Sequence, residues 1–336
     1  MTRRLLAAVV TLALAAVLLV ACWPQLFGLE RAPGVIHVVA MRGMVVLVAV
    51  LLAMLFTLIA LLAARLRRFL AGLALLLLVF AVVSTGVLAV RGFGGDGFQT
   101  KAPADVVVLS WNTLGDAPGA EAIAELAIAQ EADIVVLPET SHAAGEQVRQ
   151  LLANAGRPMQ LIDRQLDTIS KARSTELLIS EHLGVYVRDE AADSTPTLPS
   201  LVAVPVNGSG PTIVAAHPVS PMPGELRAWR DGLDWLAARC QDTANVIMAG
   251  DLNSTLDHWA SYGSSTGLAD CRDAARAAGG AAVGTWPAVL PPLLGAPIDH
   301  VLATEEWEII GFRVIESADG AGSDHRPVVA QLRPAP

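Results

Sequence analysis

Three long apolar runs open the chain, and short alternating runs fill the rest of it. Leu5 to Trp23, Gly43 to Ala64 and Phe69 to Val90 are nearly uncharged, and each has the ~20 residues a helix needs to cross about 30 Å of hydrocarbon. The pattern predicts three membrane-spanning helices within residues 1–90. Arg3 and Arg4 precede the first span, and Arg65, Arg67 and Arg68 join the second to the third. Basic flanks stay in the cytoplasm, so the N-terminus is expected inside and, after three spans, everything beyond Arg91 outside the plasma membrane. An alternative takes Met1 to Cys22 as a cleaved export signal, because Leu19-Val20-Ala21-Cys22 has the form of a lipoprotein cleavage box. Either way the remainder of the chain is exported.

Residues 91–103 hold four glycines and read as a flexible tether. Beyond it, residues 104–336 alternate between periods of two and of 3.6, the signatures of strand and helix. Strands are predicted over Asp105–Ser110, Asp133–Leu137, Glu176–Ser180, Val185–Val187, Leu201–Val206, Thr212–Ala216, Val246–Ala249, Ile298–Leu302, Glu308–Val314 and Val328–Leu332. Helices are predicted over Ala120–Gln130 and Glu225–Arg239, the latter with Leu226, Trp229, Leu233 and Leu236 on one stripe. Strands with interspersed helices indicate one layered α/β sandwich.

Charge separates the two parts further. Of 23 Lys and Arg, seven lie before residue 91, and of 32 Asp and Glu only Glu30 does, so residues 91–336 carry a formal net charge of −15. Nucleic-acid binding draws much of its affinity from Lys and Arg on phosphates, and no basic stripe exists here. Cys240 and Cys271 both fall in the exported part, where disulfides persist, and are candidates for a bridge. No Cys/His spacing of the zinc type occurs.

Six polar signatures each close an apolar run: Ser110-Trp111-Asn112, Pro138-Glu139-Thr140, Ala216-His217-Pro218, Gly250-Asp251-Leu252-Asn253, Ile298-Asp299-His300 and Ser323-Asp324-His325. Carboxylates, carboxamides and imidazoles just past strand ends can meet at one rim of a sheet, where oxygen ligands suit a hard divalent cation. Taken singly, Asn112 reads as a turn residue, Glu139 and Asp251 as helix caps and the histidines as structural. Together and in this order they resemble the endonuclease/exonuclease/phosphatase superfamily, over nearly all of residues 104–333. The resemblance implies the DNase I-like four-layer αββα sandwich and a hydrolase that uses Mg²⁺, with Mn²⁺ as substitute. It implies Asn112, Glu139 and Asp324 as the metal shell, and His325 with Asp299 as the activating dyad, with Asp251 as rival base. His217 and Asn253 are then expected to hold the phosphate.

Four more residues stand at the edge of this set. Glu176 occupies the place where the superfamily often has an acid buttressing the first histidine, with exposed strand polarity as the alternative. Trp286 resembles an aromatic wall, or is plain core. Asp257 and His258 follow the Gly-Asp-Leu-Asn loop closely enough to touch the pocket, with a helix cap the alternative for Asp257. Pro138 and Pro218 depart from the residues that superfamily nucleases usually have there, so substrate contacts near them do not transfer.

The three spans, with His-Pro-Val-Ser-Pro at 217–221, Gly-Asp-Leu-Asn-Ser-Thr-Leu-Asp-His at 250–258 and Ile-Asp-His-Val-Leu at 298–302, resemble the actinobacterial VanJ-like proteins. That resemblance implies action on a lipid-linked phosphate such as undecaprenyl pyrophosphate at the outer face of the membrane, and a part in teicoplanin resistance. An exported nuclease and a non-catalytic binding module on the same scaffold are the alternatives. Every metal and catalytic position of the superfamily pattern is intact, which speaks against the second.

Overall fold

The computed structural model describes residues 2–165 and 170–336. Its N-terminal part is helical: α1 (Thr2–Cys22), the short α2 (Val35–Ala40), α3 (Arg42–Leu62) and α4 (Arg67–Arg91). By length and composition α1, α3 and α4 are apolar enough to cross a membrane. Small residues let them approach closely: Ala49 and Ala53 of α3 and Ala74 and Ala81 of α4 are buried in one cluster. Large side chains such as Leu58, Leu61 and Val82 point outward, more than half exposed.

The remainder builds two mixed sheets. One holds β1 (Val106–Ser110), β2 (Ile134–Pro138), β3 (Met159–Gln165), β4 (Ser174–Ser180), β12 (Trp307–Val314) and β13 (Val328–Pro334) in the order β12-β13-β1-β2-β4-β3. The other holds β5 (Tyr186–Arg188), β6 (Leu201–Pro205), β7 (Thr212–Ala216), β8 (Val246–Asp251), β9 (Gly267–Leu268), β10 (Cys271–Asp273) and β11 (Asp299–Ala303) in the order β5-β6-β7-β8-β11-β10-β9. Helices α5 (Gly119–Ala129) and α6 (His142–Asn154) follow β1 and β2, α7 (Leu226–Asp242) follows β7, and α8 (Ala274–Ala278) follows β10.

The period of two in each strand sorts its side chains between layers. Val106, Val108, Ile134, Val136, Ile213, Ala215, Ile247 and Ala249 meet in the core between the sheets. Their neighbours Val107, Leu109, Val135 and Leu137 pack with Ile123 of α5 and Val148 of α6, while Val214, Val246 and Met248 pack with Trp229 and Leu233 of α7. Both faces of the central strands are therefore buried, which explains their unbroken Val/Ile/Leu runs. The result is the expected αββα sandwich behind three apolar helices.

Cys240 at the end of α7 and Cys271 of β10 are bridged, with Cα atoms 5.4 Å apart. Residues 92–99, where the glycine content suggests a tether, lie against β12 and β13: the Gln99 amide donates to Gln331 Oε1 at 2.9 Å, and Arg313 covers the Phe98 ring.

Candidate active site

Each signature sits where its strand stops at one rim of the sandwich. The register places Ser110 beside Val136, so Asn112 and Glu139 emerge together. Ala216 pairs with Gly250 and Asp299 with Asp251, which brings His217, Asp251 and Asp299 to the same rim. Gly250 must be glycine: its φ is +150°, and a Cβ would fall 1.9 Å from the Ala216 carbonyl oxygen. Glu139 (φ 56°) and Asn253 (φ 45°) hold left-handed backbone, a strain of about 1–3 kcal/mol for most residues that persists where surrounding structure enforces it.

Asn112 Nδ2 donates to Glu139 Oε1 at 3.0 Å and to Asp251 Oδ2 at 3.1 Å, while its Oδ1 accepts the Leu114 amide. Asn253 donates its amide to Asp251 Oδ1 and its Nδ2 to Asp251 Oδ2 and the Pro218 carbonyl. Asp251 thus sits fully buried at the hub of two carboxamides. Burial, reinforced by Asp299, raises its carboxyl to about 6 even though His325 and His217 pull the other way. His325 Nδ1 lies 2.9 Å from Asp299 Oδ2, and its Nε2 points toward Asp251 Oδ2 at 3.8 Å and Asp324 Oδ1 at 4.0 Å. Burial disfavours the imidazolium, but Asp299 and Asp251 outweigh it and push His325 up to about 10. Asp299 and Asp251 thus favour the protonated imidazole of His325, the form suited to stabilising charge on a phosphate oxygen.

His217 Nε2 lies 3.7 Å from Glu139 Oε1, too far for a hydrogen bond but close enough to bias charge. Burial opposes ionisation of Glu139, yet His217 and Asn112 hold its carboxyl below the usual range. Among the described residues, both ring nitrogens of His217, Oδ1 of Asp299 and Oδ1 of Asp324 are buried without a hydrogen-bond partner. Buried polar atoms of this kind mark a place for an ion, water or ligand. The carboxylate oxygens of Asp251 and Asp299 lie within 4.8 Å of each other and of a His325 ring nitrogen, and Asn112 links Asp251 to Glu139. This oxygen-rich set fits a hard divalent cation.

The eight motif residues therefore converge. The four edge residues divide. Trp286 lines the cavity and donates its Nε1–H to Asp324 Oδ2 at 2.9 Å, so it is wall rather than core. His258 also reaches the cavity, whereas Asp257 is turned away from it into an ion cluster with Arg42 and Arg91. The cap alternative for Asp257 does not hold, because residues 256–259 form turns and not an α-helix. Glu176 is neither exposed nor hydrogen-bonded to His217: it is fully buried, its carboxylate packs beneath Gly145 of α6, and His142 Nδ1 stands 3.4 Å away. Alternation in β4 aims Glu176 at the helix layer with Leu178, away from the motif residues.

Burial, with Asp163 and Asp116 nearby, raises Glu176 to about 8. A carboxyl raised in the folded state takes up protons on folding, so its stability cost is absent near pH 4 and grows as pH climbs toward 8. The Glu176→Gln variant is expected to melt at the parent's temperature at pH 5 and above it at pH 9. Equal melting at both pH values would show that the carboxylate is accommodated.

The motif residues open into a cavity of about 340 Å³. Glu139, Asp251, Asn253, Asp324 and His325 form its polar end, and Ile36, His37, Ala40 and Met41 line it from the segment between α1 and α3. Sequence reasoning missed these four, since they sit far from the signatures in the chain and carry no motif.

The family model for the endonuclease/exonuclease/phosphatase family matches residues 109–325. No curated protein matches the chain significantly. Among solved structures it is similar to an endonuclease/exonuclease/phosphatase from Beutenbergia cavernae DSM 12333, at 21% identity over 69% of this chain and 72% of that one, TM-score 0.51. Humanized D. rerio TDP2 aligns at 17% identity over 68% and 99% of the two chains, TM-score 0.51. The AP endonuclease LMAP from Leishmania major aligns at 15% identity over 70% and 90%, TM-score 0.50. These likenesses establish the fold, and the family match spans the whole set of signatures from β1 to His325. The chain belongs to the endonuclease/exonuclease/phosphatase family.

Proposed function

We propose that the protein is a membrane-anchored, metal-dependent phosphohydrolase acting at the outer face of the plasma membrane on a lipid-linked phosphate or pyrophosphate, undecaprenyl pyrophosphate being the model substrate. The observation that carries this reading is the cavity itself, which joins an acid and imidazole cluster to residues of the segment between the first two spans. A lipid phosphate has that same division between charged head and apolar chain. Tethering to the membrane also keeps the site at high effective concentration near headgroups. The orientation is supported by Arg65, Arg67 and Arg68, which cluster at the end of α3 and α4 opposite the domain-facing Arg42 and Arg91.

In this reading Asn112, Glu139 and Asp324 would hold Mg²⁺ or Mn²⁺, which would supply neutralisation of the phosphate charge. Asn253 and His217 bind the phosphate oxygens. Asp251 takes the proton from the attacking water, and the P–O bond to the leaving group breaks as His325, held by Asp299, meets the charge that develops. The similarity to VanJ-like proteins supports one further step, in which turnover of the lipid carrier contributes to resistance to glycopeptides such as teicoplanin.

A nuclease reading has the similarity to the AP endonuclease LMAP in its favour, but the −15 net charge of residues 91–336 opposes recruitment to a polyanion. The test is a panel of phosphorylated lipids and nucleic acids given to the full chain with and without EDTA. Turnover of lipid phosphate that stops with EDTA is expected. Activity indifferent to EDTA would remove the metal from the mechanism.

A further inference from the structure

The helical N-terminal part does more than lie beside the sandwich. Asp257, 3% exposed, accepts Arg42 Nη2 and Arg91 Nη1, each at 2.8 Å, and Gln25 Nε2 at 3.0 Å. Arg42 opens α3 and Arg91 ends α4, so one carboxylate from the loop after β8 pins both helices at the same level. Burial opposes its charge, yet the two guanidinium groups hold the Asp257 carboxyl well below the carboxylate range.

The neighbouring His258 completes the attachment. Its Nδ1 accepts the Thr255 amide at 2.9 Å, which leaves Nε2 to donate to the Ile36 carbonyl at 3.1 Å. Ile36 is 2% exposed and packs into the α7 core beside Trp229. At Gly43 the backbones themselves meet, since a Cβ there would fall 1.8 Å from the Leu293 carbonyl oxygen. An interface of buried ion pairs, matched hydrogen bonds and backbone contact has the character of a domain interior rather than of a passing contact.

We infer that α2 and Met41 form a substrate-selecting wall of the active site, taking the apolar chain next to the phosphate, with Asp257 as the positioning residue that fixes this wall through Arg42 and Arg91. Ala40 and Met41, with His37 beside them, face the same cavity as Asp251 and His325, and Leu198 and Met222 continue the apolar surface from the sandwich side. The occupant follows from continuity: the polar end of the cavity suits a phosphate, and its apolar wall is carried by the segment that joins two membrane-spanning helices. A substrate with a long alkyl or prenyl chain satisfies both ends at once, whereas a nucleotide places polar sugar and base edges against Ala40 and Met41. This inference rests on reading the cavity as a phosphohydrolase site.

The test uses the full chain in nanodiscs and has two arms. In the first, Ala40→Trp narrows the wall, and kcat/KM is measured for dodecyl pyrophosphate and for methyl p-nitrophenyl phosphate. The ratio of lipid to small-substrate kcat/KM is expected to fall at least tenfold, through KM for the lipid; an unchanged ratio overturns the wall. In the second, a dodecyl phosphate with a chain-borne diazirine is photo-cross-linked to the unmodified protein. Adducts in residues 35–41 that unlabelled dodecyl phosphate displaces are expected, and adducts confined to other segments overturn the inference. Adducts in residues 35–41 without turnover of either substrate would remove the hydrolase reading and leave the chain-binding wall standing.

Discussion

Replacing Asp251 with asparagine is expected to lower kcat by about a thousandfold, the middle of the range for loss of a positioned base, without unfolding the protein. Asparagine keeps the shape of the side chain and an oxygen for the Asn253 amide, so the loop after β8 retains its turn. What disappears is the acceptor for the water proton and the negative charge that, with Asp299, keeps His325 protonated. Burial already raises the Asp251 carboxyl to about 6, so the carboxylate is held at a cost, as groups retained for chemistry often are. Steady-state rates on a lipid pyrophosphate, with far-ultraviolet circular dichroism as the fold control, check this. A variant within tenfold of the parent would move the base to the His325–Asp299 pair.

The second large effect lies outside the chemistry. Asp257→Ala leaves Arg42 and Arg91 as buried, unpaired cations, and breaking one partner of a buried pair costs about 3–5 kcal/mol. Because Arg42 starts α3 and Arg91 ends α4, the loss is expected as detachment of α3 and α4 from the sandwich together with lower overall stability. Tryptophan fluorescence during denaturant unfolding of the full chain reads both, since Trp229 and Trp259 sit in the cluster that buries Ile36. A loss below about 1 kcal/mol, the scale of an exposed pair, would mean that the cluster does not hold the two parts together.

The sandwich and the gathering of the signatures at one rim were legible in the sequence for one reason: each signature ends a strongly apolar strand, so local pattern and tertiary position coincide. Val106–Ser110 followed by Asn112, and Ile134–Pro138 followed by Glu139, need no knowledge of distant residues. Elements without that pattern escaped. Helix α6 is rich in alanine and polar residues, and its start is marked only by Ser141, whose hydroxyl accepts the Ala144 amide. Strand β3 carries Asp163 and Arg164 at a sheet edge and lacks a clean alternation.

The edge residues show where chain proximity misleads. Asp257 is six positions from Asp251 yet turns into the anchor, because Arg42 and Arg91 supply charges that no feature near residue 257 announces. Glu176 follows the alternation of β4 into the helix layer. Conversely, Ile36 to Met41 reach the cavity through a contact more than 200 positions away, between His258 and Ile36. Only the folded chain brings the segment between two long apolar helices and the motif residues into one pocket.

The most direct measurement of the central claim is phosphate release from undecaprenyl pyrophosphate by the full chain in nanodiscs with Mg²⁺, run beside nicking of supercoiled plasmid under the same conditions. The expected result is lipid turnover that EDTA abolishes and that Asp251→Asn lacks, with the plasmid left intact. Plasmid nicking with the lipid untouched would contradict the account.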